Sequence, residues 1–276
     1  MKVRTFVSIS LSVFFAASAA IAAAQDSALP PPPKVLVIQR EYLKPGKAGN
    51  VHVQSEANFI KAENDAKWPT HYIAMDSMSG PTRALFMFAY DSFEAYGKDQ
   101  EAQNANASLA AAIDAASLND GELLTRYDSN TMVYQPDMSL HDRVDVPHQR
   151  YWEFTVFRIK QGHEKDWHDL VKIYTDGFAN MPDRHWAVYQ SQYGEDNGNE
   201  YVVINPMRTL AEVDKGMTSG DSFMAAQGPD GMKRIEELAS ACIESSQSNL
   251  FVVNAKESYT DPAWATAAPE IYGQPQ

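Results

Sequence analysis

Cysteine and basic side chains are scarce in this chain of 276 residues. It has one cysteine, Cys242, and 36 Asp and Glu side chains against 23 Lys and Arg, a formal net charge of -13. A single cysteine excludes an internal disulfide, a zinc ribbon and an iron–sulfur site. The shortage of Lys and Arg disfavours nucleic acid and anionic membranes as partners, because both are bound through clustered basic side chains. We therefore expect a small-molecule ligand, and we expect Cys242 to be a buried apolar residue in a helix.

The sequence also lacks the short motifs that mark common cofactors. It contains no Gly-rich dinucleotide motif, no P-loop, no Gly-x-Ser-x-Gly elbow and no Cys-x-x-Cys-His haem attachment site. His163 and His168 are five positions apart, which places them about 140° apart around a helix and prevents them from converging on one ion. We accordingly predict no metal site and no cofactor, with haem kept as the alternative.

The first 24 residues have the three regions of an export signal. Lys2 and Arg4 give a basic start, residues 6–21 are apolar and rich in small side chains, and three alanines at 22–24 fit a cleavage site. The apolar run is short for a membrane span. We predict a signal peptide that is removed, a Pro-rich spacer over residues 25–33, and a periplasmic or secreted protein that does not bind membranes afterwards.

The rest of the chain divides into two halves of similar pattern. A polar segment with two prolines, residues 136–149, separates residues 34–135 from residues 150–259, and residues 260–276 form an irregular tail. Each half opens with an apolar strand and a Lys-x-Gly turn, then continues with a helix, a hairpin, a long helical stretch and a last strand. The predicted fold class is α+β, with two tandem ferredoxin-like (βαββαβ) repeats packed sheet to sheet.

This duplicated element order resembles the dimeric α/β-barrel superfamily, which includes antibiotic-biosynthesis-type monooxygenases and NIPSNAP-like proteins. The resemblance implies that one chain forms the barrel that single-repeat relatives form by dimerising. Chlorite dismutases are haem-binding relatives, so the resemblance also implies the haem alternative. A chain of this kind can be a monomer, although open strand edges also allow a homodimer.

Histidines at matched positions of the two halves are the leading candidate catalytic residues. His71 and His185 open the second strand of each half, where an imidazole can act as a general base or can cap the turn after a helix. If the protein is an enzyme, we expect a cofactor-poor oxygenase or isomerase-type catalyst. Tyr189 and Arg158 would then orient the ligand.

Aromatic side chains and a second pair of histidines are the candidate ligand-binding residues. Trp152 and Trp186 belong to an aromatic cluster of the second half, and His52 and His168 lie on the first helix of each half. Core packing and surface exposure are the alternative interpretations. We predict a protein that binds or transforms a small apolar or aromatic molecule in a barrel pocket. A haem oxidoreductase and a non-catalytic envelope protein that binds a ligand or partner are the alternatives.

Two segments carry more specific expectations. Along the first strand, Gln39 and Glu41 alternate with Arg40 and Tyr42, so one polar set must face a buried side of the sheet. Residues 216–231 contain four glycines and are expected to form a mobile lid over the ligand.

Overall fold

A computed structural model describes residues 29–194 and 199–273 of the chain. The predicted signal peptide and the first part of the spacer lie outside the described residues. The eight strands are β1 (Val35–Leu43), β2 (Tyr72–Ser77), β3 (Arg83–Tyr90), β4 (Leu124–Tyr134), β5 (Tyr151–Ile159), β6 (Ala187–Tyr193), β7 (Glu200–Met207) and β8 (Ile243–Val253). The helices are α1 (Asn50–Ala66), α2 (Phe93–Ala105), α3 (Ala107–Gly121), α4 (Glu164–Phe178), α5 (Ala211–Cys242), α6 (Pro262–Ala267) and α7 (Pro269–Tyr272).

The strands form one closed antiparallel barrel in the order β1-β3-β2-β8-β5-β7-β6-β4. Closure depends on two contacts between the halves, β2 with β8 and β4 with β6. The α+β class and the barrel are confirmed. The linker residues 136–149 contain two short 3-10 turns, Pro136–Met138 and Val146–His148, and carry the chain from β4 to β5.

Alternation along each strand separates the barrel interior from the outer, helix-covered face. In β1, Leu36 and Ile38 belong to the interior core, whereas Val35 and Val37 face the helices. The interior is filled by the following buried side chains: Leu36, Ile38, Ile73, Met75, Leu85, Met87, Met132, Trp152, Phe154, Tyr189, Val202, Ile204, Phe251 and Val253. Arg40 and Tyr42 therefore share the interior side of β1, and Gln39 and Glu41 share the helix side.

The two helix layers differ in what they bury. Helix α4 packs on α5, and its apolar residues Trp167, Leu170 and Phe178 join a continuous outer core in the second half. Helix α1 packs on α3 in the first half. Its buried residues are mostly polar: His52, Ser55, Glu56, Ile60, Ala62 and Glu63. This polar face gives α1 a weaker apolar periodicity than α4 and positions the site described below.

Three local expectations are corrected. The helical stretch of the first half is divided at Asn106, whose side chain accepts a hydrogen bond from the Leu109 amide and so begins α3. The expected lid, residues 216–231, lies inside α5 and is helical except at Gly228, whose φ of 64° allows a kink before Pro229. The tail contains α6 and α7, which place Ile271 and Tyr272 against the barrel core. Among the described residues, no helix has the length and apolar character needed to cross a membrane.

Candidate functional site

Two cavities border the barrel, and the first one occupies the mouth where β1 and β5 begin. This barrel-mouth cavity has a volume of about 740 Å³ and a mainly apolar wall. The segment from Leu29 to Pro33 and Trp264 of α6 cover it from outside. Its wall contains five of the residues chosen from the sequence: His71, His185, Tyr189, Trp152 and Trp186.

The polar side chains of the barrel-mouth cavity are held by main-chain contacts. The Nε2 atom of His185 donates to the Pro206 carbonyl over 2.6 Å, and the Tyr189 hydroxyl donates to the Pro33 carbonyl over 3.0 Å. His71 packs on the Tyr259 ring at a centroid distance of 4.8 Å. Burial raises the pKa of the Tyr189 phenol well above its usual range. These contacts suit a structural wall for an apolar ligand better than an acid–base pair.

Two predicted site residues lie elsewhere. Arg158 points to the same, inward side of β5 as Trp152. The two residues are six positions apart, and a strand rises about 3.3 Å per residue, so Arg158 lies at the far end of the barrel, where it is exposed. Its Nε atom lies 3.7 Å from the Glu200 carboxylate. His168 is exposed on α4 because Trp167 takes the buried side of that helix. Neither Arg158 nor His168 therefore belongs to the wall of the barrel-mouth cavity that contains Tyr189.

The second cavity lies between the first half's sheet and its helices. This helix-side pocket has a volume of about 500 Å³. Its wall is aromatic, with Phe59, Trp68, Tyr72, Phe86, Phe88, Tyr90, Tyr96 and Tyr127, and it also contains the acidic residues Glu41, Glu56, Glu63, Asp99 and Asp120. Among the described lining residues there is no Lys or Arg.

His52 is the centre of a buried cluster at the edge of this pocket. Its side chain is completely buried, and its Nδ1 atom lies 3.0 Å from Oε1 of Glu257. Its Nε2 atom lies 3.0 Å from Oε2 of Glu41, 3.7 Å from Oε1 of Glu56 and 3.8 Å from Oδ1 of Asp120. We call these five residues the His52 cluster. Three of its carboxylates therefore face one imidazole nitrogen, and the fourth orients the ring.

The charges of the His52 cluster are poorly balanced. Burial lowers the pKa of His52, but hydrogen bonds to Glu257 and Glu41 outweigh that effect and raise it to about 11. Burial raises the pKa values of the Glu41 and Glu257 carboxyls, although their bonds to His52 lower them in part. The pKa of Glu56 is raised well above its usual range by burial and by the neighbouring charge of Glu41. These shifts mean that the carboxyls of the cluster are not all ionised beside the one imidazolium.

Several carboxylate oxygens in the cluster have no hydrogen bond. These atoms are Oε1 of Glu56, Oδ1 of Asp120 and Oε2 of Glu257. Their residues are only 3%, 2% and 0% exposed. A buried polar atom without a partner costs about 1–3 kcal/mol, so such atoms call for a functional explanation.

Comparison with known proteins identifies the fold. No family model matches the chain, and no curated protein matches it. A candidate monooxygenase from Fusobacterium nucleatum is 12% identical, with a TM-score of 0.51, over 80% of this chain and 93% of that one. A candidate monooxygenase from Lactobacillus acidophilus is 12% identical, with a TM-score of 0.50, over 83% and 96% of the two chains. An anthrone oxidase-like protein is 13% identical, with a TM-score of 0.51, over 80% and 92%. These similarities are consistent with the dimeric α/β-barrel resemblance, and at such identities they concern the fold alone.

Haem does not match the residues of either cavity. A haem carries two propionates, and neither cavity wall offers a Lys or Arg among its described residues. The wall of the barrel-mouth cavity instead contains Asp142, Asp145 and Asp261. The Nε2 atom of His52 faces carboxylates, that of His185 is bonded to a carbonyl, and the ring of His71 packs on Tyr259. We therefore derive no haem chemistry from this structure.

The sequence pattern singles out His52 and Glu41, but it does not single out Glu56, Asp120 or Glu257. Glu41 lies on β1, Asp120 at the end of α3 and Glu257 after β8, so no local spacing joins them. One signal was present. His52 and Glu56 are four residues apart on α1, which places both side chains on one helix face.

Proposed function

We propose that the protein binds a small neutral aromatic molecule in the helix-side pocket and acts on a polar group of that molecule at the His52 cluster. One observation carries this proposal. Glu41, Glu56 and Asp120 line the pocket, and the same three carboxylates face Nε2 of His52. An apolar wall with a few convergent polar groups is the usual form of a small-molecule site.

The charges of the pocket restrict the ligand. Five acidic side chains line it, and no basic side chain is found among the described lining residues. An anionic ligand would be repelled and would lose its hydration without a compensating partner. A neutral aromatic molecule with a hydroxyl group would stack on the aromatic wall and direct the hydroxyl to a carboxylate oxygen that lacks a hydrogen bond. The reaction class remains the oxygenase or isomerase type expected from the sequence.

A matched pair of probes tests the binding proposal. The naphthalene ring is the same in 2-naphthol and 2-naphthoate, but only the second is an anion at neutral pH. Fluorescence titration of the full chain should show 2-naphthol binding at least about tenfold more tightly than 2-naphthoate, a difference of about 1.4 kcal/mol. Equal affinity for the two probes, or no binding of 2-naphthol, contradicts the proposal.

A pair of cavity-filling variants locates the binding site. Ser117 lines the helix-side pocket and Ala89 lines the barrel-mouth cavity, and both residues are exposed. We expect Ser117→Trp to weaken 2-naphthol binding about tenfold or more and Ala89→Trp to leave it unchanged. Incubation of the bound probe in air, followed by mass spectrometry, tests for a product.

The barrel-mouth cavity supports a second candidate function, which is non-catalytic binding of an apolar ligand. Its larger volume, three tryptophans and cover of prolines favour a purely apolar molecule. If this candidate is the correct one, Ala89→Trp abolishes binding of the probe and Ser117→Trp does not. The same two variants therefore separate the two functions.

We further propose that the barrel arose from two tandem ferredoxin-like repeats, residues 34–135 and 150–259. The strand orders β4-β1-β3-β2 and β8-β5-β7-β6 support this, because in each half the fourth strand is followed by the first, the third and the second.

Export also remains a proposal. Native mass spectrometry of the protein from its producing cells should give a chain that begins near Gln25, and its mass will distinguish a monomer from a homodimer.

A further inference from the structure

We infer that Nε2 of His52 and the carboxylates of Glu41, Glu56 and Asp120 form a binding site for one divalent transition-metal ion. This inference deepens the proposed function, because the ion would lie at the polar end of the helix-side pocket. It replaces the expectation of a metal-free protein, which rested on the absence of a local ligand motif.

The geometry of the His52 cluster is close to that of a metal site. Ligand atoms about 2.1 Å from an ion are themselves about 3.0–3.4 Å apart. Nε2 of His52 lies 3.0, 3.7 and 3.8 Å from the nearest oxygens of Glu41, Glu56 and Asp120. One candidate ligand atom from each of the four residues lies within 4.8 Å of all the others. Small side-chain rotations would bring all four atoms to one ion.

The unbonded oxygens are an independent indication of a cation-binding site. Oε1 of Glu56 and Oδ1 of Asp120 make no hydrogen bond, although their residues are more than nine-tenths buried and both atoms point towards His52. Among the described residues, neither carboxylate forms an ion pair with a Lys or Arg side chain. A bound ion would give these oxygens a partner and offset the repulsion between the carboxylates.

Glu257 has the position of an outer-shell residue. Metal-binding histidines usually donate their second ring N–H to a carboxylate, which fixes the ring and leaves the other nitrogen free for the metal. Oε1 of Glu257 lies 3.0 Å from Nδ1 of His52, on the side of the ring away from the three other carboxylates. An ion bound at Nε2 would replace the proton that Nε2 shares with Oε2 of Glu41.

The second half of the barrel indicates that the fold does not require buried acids at this place. Glu41 and Phe157 are each the seventh residue of a nine-residue strand, β1 and β5. Phe157 packs on Trp167 at a centroid distance of 5.0 Å, within an apolar cluster. Three acids and a histidine of the first half therefore stand where the second half has apolar packing.

The donor set indicates the class of ion. One imidazole nitrogen and three carboxylate oxygens suit Mn²⁺, Fe²⁺ or Zn²⁺, whereas Mg²⁺ and Ca²⁺ prefer oxygen ligands alone. The pocket gives the ion access from solvent and leaves one side open to a ligand. We therefore expect the order of affinity to place Mn²⁺ and Zn²⁺ well above Mg²⁺.

Calorimetric titration of the chelator-treated full chain tests the inference with Mn²⁺, Zn²⁺ and Mg²⁺. We expect one Mn²⁺ per chain, and at least about tenfold weaker binding in Glu56→Gln and in Asp120→Asn. Glu63→Gln is the matched control, because Glu63 is also buried on α1, lines the same pocket and has an unbonded oxygen, but lies outside the His52 cluster. Its Mn²⁺ affinity should equal that of the wild type.

Pulsed electron paramagnetic resonance of Mn²⁺ in the wild-type protein adds a readout that does not depend on the folding of variants. Coupling to one ¹⁴N nucleus is expected from His52. No binding of Mn²⁺ or Zn²⁺ at millimolar concentration, absence of the ¹⁴N coupling, or equal losses in Glu56→Gln and Glu63→Gln would overturn the inference. If the chelator-treated protein binds neither Mn²⁺ nor Zn²⁺ but still binds 2-naphthol, and Ser117→Trp prevents that binding, the metal inference fails and the proposed function stands. If the metal binds and 2-naphthol does not, the reverse holds.

Discussion

Glu257 lies 3.0 Å from the ring of His52 although 205 positions separate the two residues in the chain. Glu257 follows the last strand of the barrel, and His52 lies on the first helix. Their contact joins the end of the second half to the functional site of the first. Closure of the barrel through β2 and β8 brings this segment to α1, so the candidate site requires both halves.

Glu257→Gln tests the orienting role of this contact. The amide oxygen can still accept a hydrogen bond from His52, so the fold should persist, but the loss of negative charge should weaken the ring nitrogen as a ligand. We expect Mn²⁺ affinity to fall roughly ten- to hundredfold with one site per chain retained. Glu270→Gln, at an exposed position of α7, is the control and should leave the affinity unchanged. Unchanged affinity in Glu257→Gln would contradict the orienting role.

The buried carboxyl of Glu63 should make stability depend on pH. Burial and the charge of Asp99 raise its pKa from 4.5 to about 8, although a hydrogen bond with Tyr72 lowers it in part. Between about pH 4.5 and pH 8 the unfolded chain is ionised at this residue and the folded chain is not, so the free energy of unfolding falls as pH rises. We expect Glu63→Gln to match the wild type near pH 4 and to exceed its free energy of unfolding by about 1–3 kcal/mol at pH 8.

Urea unfolding of both proteins from pH 4 to pH 9 measures this difference, because the other titrating groups are common to both. Glu101→Gln, an exposed change on α2, should give the wild-type dependence. A constant difference between Glu63→Gln and the wild type across this range would show that Glu63 does not titrate as described.

Gly177 and Gly97 should respond oppositely to the same substitution. Both lie in helices, where Ala normally stabilises by about 0.5–1 kcal/mol relative to Gly. A Cβ atom at Gly97 would meet no atom within 4 Å, whereas one at Gly177 would lie 2.3 Å from Cε2 of Phe223. Phe223 is buried and stacked on Phe178 at 4.7 Å, so it has little room to move.

We therefore expect Gly97→Ala to raise the free energy of unfolding by up to about 1 kcal/mol, and Gly177→Ala to lower it by about 1–3 kcal/mol. Urea unfolding at 25 °C checks both variants. Stabilisation by Gly177→Ala would mean that α4 and α5 pack less closely than described.

Cys242 should be chemically inert in the folded protein. Its side chain is completely buried at the end of α5, and burial raises the pKa of its thiol. Because the thiolate is the reactive form, we expect no reaction with a disulfide reagent under native conditions and one equivalent after denaturation. Rapid reaction of the native protein would exclude the buried position.

The sequence predicted the architecture well because strand alternation and turn residues are local signals. The order of strands and helices in each half follows from such signals, and the sheet-to-sheet packing follows from the apolar face that each half leaves uncovered. The first residues of β4 and β8, such as Arg126 and Glu244, are polar, so an apolar strand pattern does not mark where these strands begin.

The site was less accessible to sequence analysis, and α1 shows why. Its apolar pattern is irregular, and this irregularity marks the site, since His52, Glu56 and Glu63 occupy the face that apolar residues occupy in α4. The remaining carboxylates depend on tertiary contacts between distant segments. In contrast, His71 and His185 are matched in the sequence because they have similar structural positions at the barrel mouth, which does not require a catalytic role.

The most direct test of the account is a crystal structure of the full chain soaked in Mn²⁺, with diffraction data recorded on both sides of the manganese absorption edge. The account predicts one strong anomalous peak about 2.1–2.3 Å from Nε2 of His52 and from oxygens of Glu41, Glu56 and Asp120. The peak should lie at the inner end of the helix-side pocket. An empty His52 cluster at millimolar Mn²⁺, or manganese found only on exposed carboxylates, would contradict the account.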